Sequence, residues 1–431
     1  MNQLHEINIV DFLADSGEII PSINLSYQLF GKKLGDAPII LVNHALTGNS
    51  NLTGKNGWWK EVIGDNKAIN TKKFSVISFN IPGNGFCSND FYTPNKFHLG
   101  DIANLFILAL EKLKIKKLHS IIGGSIGGCL TWEIAAKRPS LAKFIIPVAA
   151  DWRANDWLIA NTYLQDRILN NSNNPVQDAR IHAMTFYRNP KSINLRFERS
   201  FNDSKGIYNI ESWLEHHGTK LNERFSLNSY KMMNQLLRST DITRGGEEFI
   251  EIASKINSEI HLICVDSDLF FLPDDDLKTL NSLSKSKKDV FCHEINSIHG
   301  HDAFLIENII LCGITATPPN KEIRKAALGA SDSVNWEFQE NTIDAVTNLK
   351  NNGYHIMGIE QADKSSKLND FTLPNKPIAI IMGNEVKGVS QEVIDICDEV
   401  MEIPQFGTKH SLNIAVTTGI VIWELWKKLN A

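Results

Sequence analysis

The stretch HSIIGGSIGGCLTWEIAAK, residues 119–137, decides the fold. Its first half is an apolar run closed by Gly123 and Gly124, and its second half carries a helical pattern from Gly127 to Ala136. Gly123, Ser125 and Gly127 meet the pattern Gly-x-Ser-x-Gly between that strand and that helix. Glycines two positions either side of a serine let the backbone turn sharply without side-chain clashes, so the hydroxyl is raised above the end of a sheet. The bland alternative is an ordinary Gly-rich strand-to-helix turn, and the flanking strand and helix weigh against it.

Working outward, PIILVNHALTG (38–48), FSVISFNIPGNG (74–85) and KFIIPVAAD (143–151) are further short apolar runs that end in turns. With a helical pattern at 101–113, they predict the alternation of a doubly wound parallel α/β sheet. After Asp151 the text becomes polar, Asn-rich and helical for about a hundred residues, with Trp152, Trp157 and Trp213. Strand text resumes at EIHLICVDSD (259–268) and DVFCHEINSIHGHDAF (289–304), so residues of about 151–256 are expected to form a helical cap inserted into one sheet. A second alternation follows from Asn308: NIILCGITATPP, TIDAVTNLKNNGY, HIMGIEQA, PIAIIMGNEVKGVS and a long C-terminal segment. Two domains are therefore expected, 1–307 and 308–431, joined through DAFLIENIILCGI without a linker.

The whole chain permits this. At 431 residues it exceeds what one core usually supports. With 42% hydrophobic and 22% charged residues it has the composition of a globular protein. A net charge of -5 and a pI near 6.2 give no global field for polyanions, so small substrates are the easier reading. The six cysteines form no C-x-x-C pair and lie at no zinc spacing, which fits a reduced cytoplasmic protein without a metal. The N-terminal segment lacks a signal-peptide pattern, and no run approaches about 18 apolar residues, so export and membrane insertion are not expected.

Serine at its free pKa needs an imidazole base, itself steadied by a carboxylate. The order expected on an α/β-hydrolase fold is Ser, acid, His. Asp268 ends the strand IHLICVDSD and His301 lies in the loop after the next strand, with Asp266 and His299 as rivals. The oxyanion needs two backbone N–H groups. Ile126, after the nucleophile, supplies one, and Leu46 in NHALTG is the candidate for the other. His44 and Thr47 could instead simply cap that loop.

HALTG, GWW (57–59), GGSIGG, ESWLEHHGTKLNERFSLNSY (211–230), VDSDLFFLP (265–273) and GHDAFL (300–305) together resemble the homoserine O-acetyltransferases, in matching order across residues 1–307. The resemblance implies Ser125 as nucleophile, Asp268 as acid and His301 as base, with acetyl-CoA as donor and L-homoserine as acceptor. It also implies that Arg180 and Asp302 hold the carboxylate and amine of homoserine, as a cation and an anion would. The chain departs from the family at FNIPGNGFCSND (79–90), where a Gly-Gly-Cys and Gly-Ser-rich stretch is usual. That leaves room for a serine esterase, or for a succinyl or serine-directed transferase.

Residues 308–431 resemble the trefoil-knot (SPOUT) ribose methyltransferases of RNA, through IILCGITATPPNKEIRKAALGA, IIMGNEVKGVS and EIPQFGTKHSLNIAVTTGIVIWELW. The resemblance implies S-adenosylmethionine held at Gly383, Ile403 and Leu412, the RNA ribose near Glu385 and Asn413, phosphate contacts at Lys387, Lys409 and His410, and a homodimer. The family's first strand and its Asn-to-Arg motif have no counterpart upstream of Asn308, where the chain is already the histidine loop. The expectation is thus an acyltransferase of methionine synthesis bearing an impaired methyltransferase domain. The alternative is a working RNA methyltransferase with a passenger hydrolase domain.

Overall fold

The computed structural model describes residues 3–305 except 55, 66, 87–96 and 204, and residues 308–429 except 318–319, 321–322, 324–334, 352, 363–364, 375, 385–386 and 405–411. Backbone proximity divides the chain into two compact units, Met1–Glu307 and Asn308–Ala431.

The first unit is built on one eight-stranded sheet. Its strands are β1 (His5–Leu13), β2 (Ile19–Gly31), β3 (Ile39–Asn43), β4 (Ser75–Phe79), β5 (Leu118–Gly124), β6 (Ala142–Val148), β7 (Glu259–Val265) and β8 (Val290–Ile295). They lie in the order β1-β2-β4-β3-β5-β6-β7-β8. β1 and β2 pair antiparallel, as do β2 and β4, and every later pairing is parallel.

The central strands read as unbroken apolar runs because both faces are covered. Successive residues enter different cores: Leu41, Ile121 and Ile145 join the larger cluster, while Ile40, Val42, Ile122 and Val148 join the second, with Trp59 and Phe304. Helix α1 (Leu99–Lys112) packs on α2 (Ile126–Lys137), and the first ten residues of α2 are all buried. A Cβ on Gly123 would lie 2.3 Å from the backbone of Gly127, and one on Gly127 equally close to the carbonyl of Asn43. That approach seats α2 against β5 and β3 and requires both glycines.

Between β6 and β7 the chain leaves the sheet through α3 (Asp156–Asn171), α4 (Pro175–Tyr187), α5 (Pro190–Phe197), α6 (Asn209–Asn222) and α7 (Leu227–Arg238). These helices pack on one another and bury Met184, Tyr230, Met232, Met233 and Leu236. The insertion is not wholly helical, since Phe201–Asn202 and Ile207–Tyr208 pair as a short hairpin where Gly206 takes a φ of 69°. A short helix α8 (Phe249–Ala253) and then α9 (Pro273–Leu283), which packs on β7 and β8, complete the unit.

Among the described residues the second unit holds two sheets. β9 (Asn308–Cys312) and β10 (Asn335–Gln339) pair parallel. β11 (His355–Ile359), β12 (Ser366–Lys367), β13 (Ile378–Met382) and β14 (Glu399–Glu402) form a parallel sheet in the order β12-β14-β11-β13. Helix α10 (Thr342–Asn351) touches β9, β10 and β11, so one helix spans both sheets. Two further helices, α11 (Gln391–Ile396) and α12 (Ile414–Leu429), follow. Among the described residues β13 has a neighbour on one side only, and all five of its residues are half-buried. Residues 405–411, within the span expected to form a trefoil knot, lie outside the described residues. No described helix is long and apolar enough to cross a membrane.

Candidate active site

Ser125 stands between β5 and α2 with φ 59° and ψ −128°, a backbone conformation a non-glycine residue rarely adopts. The strain is imposed by the close packing of Gly123 and Gly127 and aims the side chain at the loops beyond the strand ends. There His301 lies between Ser125 and Asp268: its Nε2 is 3.0 Å from Ser125 Oγ and its Nδ1 is 2.7 Å from Asp268 Oδ2. With Nδ1–H donating to the carboxylate, Nε2 is left as the acceptor for the serine hydroxyl. All three residues are at most 4% exposed. Asp268 Oδ1 accepts the N–H groups of Phe270 and Phe271 at 2.7 and 3.0 Å, which fixes the carboxylate. Phe270, Phe271, Phe304 and Tyr187 surround the imidazole with ring centroids 5.2–5.5 Å away, so water has little access.

The rivals stand outside this line. Asp266 Oδ1 accepts the N–H of Ser297 at 2.9 Å. His299 is buried, and burial together with Arg188 and Arg196 pushes its pKa down to about 4. Ser267 donates its hydroxyl to the carbonyl of Ser297 and accepts the N–H of Gly300, so the loops after β7 and β8 are bound to each other.

The N–H groups of Leu46 and Ile126 have no acceptor among the described residues, and both side chains are buried. His44 shapes the first of the two loops. It is fully buried, with Nδ1 2.8 Å from the carbonyl of Ala45, while Nε2 accepts from the N–H of Ile81 and the amide of Asn84. Burial pushes its pKa down to about 4, so it is neutral. Thr47 is held from the cap: Arg224 donates to its carbonyl at 2.9 Å.

Asp302 has a partner that the sequence did not single out. Arg188, at the end of α4, lies 3.1 Å from its Oδ2, and both are nearly buried. Burial lowers the pKa of Arg188 and Asp302 raises it back in part. Arg180 does not pair with Asp302; its guanidinium sits over the Tyr187 ring at 5.5 Å. Arg224 is close enough to Arg180 for their charges to interact, with burial the larger cause of its lowered pKa. The three arginines are thus tied to residues around the triad: Arg188 to Asp302, which follows His301, Arg180 to Tyr187, whose ring packs on His301, and Arg224 to Thr47, next to Leu46. Arg224 stands inside ESWLEHHGTKLNERFSLNSY while Arg188 lies outside every motif above, and nothing in their spacing marks either.

In the second unit, a Cβ on Gly383 would lie 2.5 Å from the backbone of Gly388, and Asn384 and Gly388 exchange backbone hydrogen bonds. Glu360 accepts the N–H of Val389 at 2.7 Å and closes the turn. Ile403 is half-buried, Leu412 and Asn413 are exposed, and Lys387 is also exposed. Glu385, Lys409 and His410 lie outside the described residues. One described group has metal-ligand types together, Asp15, His98 and Asp101. His98 and Asp101 already form the capping box of α1, and Lys137 lies 3.3 Å from Asp15, so these side chains satisfy one another.

The strand order, the turn at Ser125 and the Ser–His–Asp alignment define the class of protein as an α/β hydrolase, and residues 38–297 match the family model described as alpha/beta hydrolase fold. Within that class the homoserine O-acetyltransferase of Methanococcus vannielii is 30% identical over 338 residues, covering 69% of this chain and 68% of the relative. The chain therefore belongs to the homoserine O-acetyltransferase family and is an enzyme. Solved structures agree in fold: a homoserine O-acetyltransferase from Bacillus anthracis has a TM-score of 0.63 at 19% identity, covering 70% of this chain and 93% of that one. An acetylester hydrolase from Corynebacterium glutamicum has a TM-score of 0.60 at 18% identity, covering 70% and 90%.

Residues 298–423 match the SpoU rRNA Methylase family, which makes the second unit a SpoU methylase domain. That match begins inside the loop of His301. Residues 298–307 are thus read with the second family while they fold with the first unit.

Proposed function

We propose that the first unit moves an acetyl group from acetyl-CoA to the hydroxyl of L-homoserine through an acetyl-Ser125 intermediate. The observation that carries this is the hydrogen-bonded line from Ser125 Oγ through His301 to Asp268 in a site shielded by aromatic rings. His301 Nε2 takes the hydroxyl proton as Ser125 Oγ attacks the thioester carbonyl, and the N–H groups of Ile126 and Leu46 receive the oxyanion. The C–S bond breaks, and the thiol of CoA leaves with the proton from His301. Homoserine then enters, His301 removes its hydroxyl proton, and the alkoxide takes the acetyl group and releases Ser125. Asp302 holds the substrate ammonium, while Arg180, with Arg224 beside it, holds the carboxylate. A buried aromatic site disfavours water as the competing acceptor.

The second reading is a serine esterase, favoured by the acetylester hydrolase of the same fold. Purified protein given acetyl-CoA separates the two. Release of CoA that rises strongly with L-homoserine, together with an acetylated Ser125 peptide, supports transfer. Equal release with and without homoserine would favour the esterase.

The second unit, in this proposal, binds S-adenosylmethionine weakly or not at all and does not methylate RNA. Its sequence lacks the Asn-to-Arg motif, and its described strands fall into two sheets under one helix. The Gly383–Gly388 turn, closed by backbone contacts, would face the cofactor and supply only backbone N–H and C=O groups. Robust ribose methylation by the full chain, lost on Asn413→Ala, would refute this part. The protein acts as a cytoplasmic homodimer in the same reading, which sedimentation would test.

A further inference from the structure

Cys264 on β7 and Cys292 on β8 have their sulfurs 3.8 Å apart. In the parallel register Leu262 faces Cys292 and Cys264 faces Glu294, so the two thiols sit diagonally on the same face of neighbouring strands. β8 is the last strand of the sheet, and on it Cys292 is half-buried while Cys264 is 2% exposed. One thiol is therefore reachable from solvent and the other waits behind it.

These strands are also the ones that present the acid and the base. Asp268 follows Cys264 by four positions and His301 follows Cys292 by nine, and Ser267, Ser297, Asp266 and Gly300 tie the two loops together. A bond between the sulfurs has to draw them about 1.7 Å closer, to the roughly 2.05 Å of a disulfide. The diagonal pull slides β8 along β7, and the loop ties carry that shift to His301 and Asp268.

We propose that Cys264 and Cys292 are a peroxide-responsive modification site, whose reversible disulfide lowers the activity of the Ser125 site. Cys292 is the entry point: as a thiolate it attacks one oxygen of hydrogen peroxide, the O–O bond breaks, and the sulfenic acid and hydroxide form. The Cys264 sulfur then attacks that sulfenic sulfur, the S–O bond breaks, and its thiol proton leaves with the hydroxyl as water. In sum two thiols and one peroxide give one disulfide and two waters. The hydrogen bond from Cys264 lowers the pKa of the Cys292 thiol, which favours attack from the exposed side. A disulfide reached only by shifting strands is strained and easily reduced, which suits a reversible device.

The switch rests on the reading of Ser125 as the nucleophile, but cross-linking does not. The experiment treats the full chain with hydrogen peroxide, maps peptides without reduction, and measures hydrolysis of a p-nitrophenyl acetate probe. The expected result is a Cys264–Cys292 peptide pair, a loss of turnover of roughly tenfold or more, as a misplacement near 1 Å produces, and recovery with dithiothreitol. Cys292→Ser keeps the untreated activity and resists peroxide. Absence of the linked pair, the pair without loss of turnover, or equal inactivation of Cys292→Ser would each overturn the proposal. An untreated protein with no Ser125-dependent turnover that still forms the pair would sink the reading of the nucleophile and leave the disulfide standing.

Discussion

The indole N–H of Trp59 donates to the carbonyl of Phe304 at 3.2 Å, joining residues 245 positions apart. Phe304 lies three residues after His301, and its ring also meets Trp59 edge-on at 6.4 Å. The GWW segment therefore works as a clamp on the loop that carries the imidazole.

The same ring limits what can stand at residue 124. A Cβ on Gly124 would meet Phe304 Cε2 at 2.4 Å, so Gly124→Ala pushes the histidine loop off its seat. The expected cost is about 1–3 kcal/mol of stability, with a fall in turnover of roughly 10²-fold that the stability loss alone does not cause. Thermal unfolding and acetyl transfer, measured on the same sample, check it.

Ser125 trades stability for its exposed hydroxyl. At φ 59° and ψ −128° a glycine is at ease, so Ser125→Gly removes strain of about 1–3 kcal/mol. The melting temperature should rise by a few degrees, while turnover falls by ~10³-fold or more. A variant that melts below the parent would count against strain at this turn.

Asp302 separates binding from chemistry. Asp302→Asn removes the anion opposed to a substrate ammonium and leaves Arg188 buried without its charge partner, which destabilises by about 3–5 kcal/mol. At a temperature where the variant is folded, KM for homoserine should rise at least tenfold, while hydrolysis of p-nitrophenyl acetate, which has no amine, changes little. Equal losses on both substrates would place Asp302 in the chemical step.

The fold also sets a pH dependence. Burial, with Asp151 the next cause, pushes the pKa of Asp276 up to about 9, far above its value in an unfolded chain. Between the two values the folded state holds a proton that the unfolded state has released, so stability falls as pH rises from about 4 toward 9. The slope is at most ~1.4 kcal/mol per pH unit, and Asp276→Asn, which resembles the protonated form, should flatten it. Denaturant midpoints across that range decide the matter.

The parts of the site that could be read in the sequence are those whose local geometry is written in a short motif. Ser125 follows from two glycines between a strand and a helix, and Asp268 and His301 follow from their places after strands in the expected order. The choice of His301 over His299 could not be derived from spacing alone. It depends on which imidazole meets Ser125 Oγ, and the loop ties through Ser267 and Ser297 set that. The partnership of Arg188 with Asp302 joins an insertion helix to a loop more than a hundred residues away, and no local pattern encodes such a contact. The hairpin at 201–208 was hidden for another reason: two paired residues per strand leave too short an alternation to see.

Residues 298–307 are grouped with the first unit while falling inside the span that matches the second family. Anyone separating the halves where the two family matches meet, between 297 and 298, would keep the serine and its carboxylate and discard the imidazole that links them. Cutting after Glu307 preserves the line intact but strips the second half of the opening of its own matched span. One decapeptide thus decides which of the two portions can be studied alone.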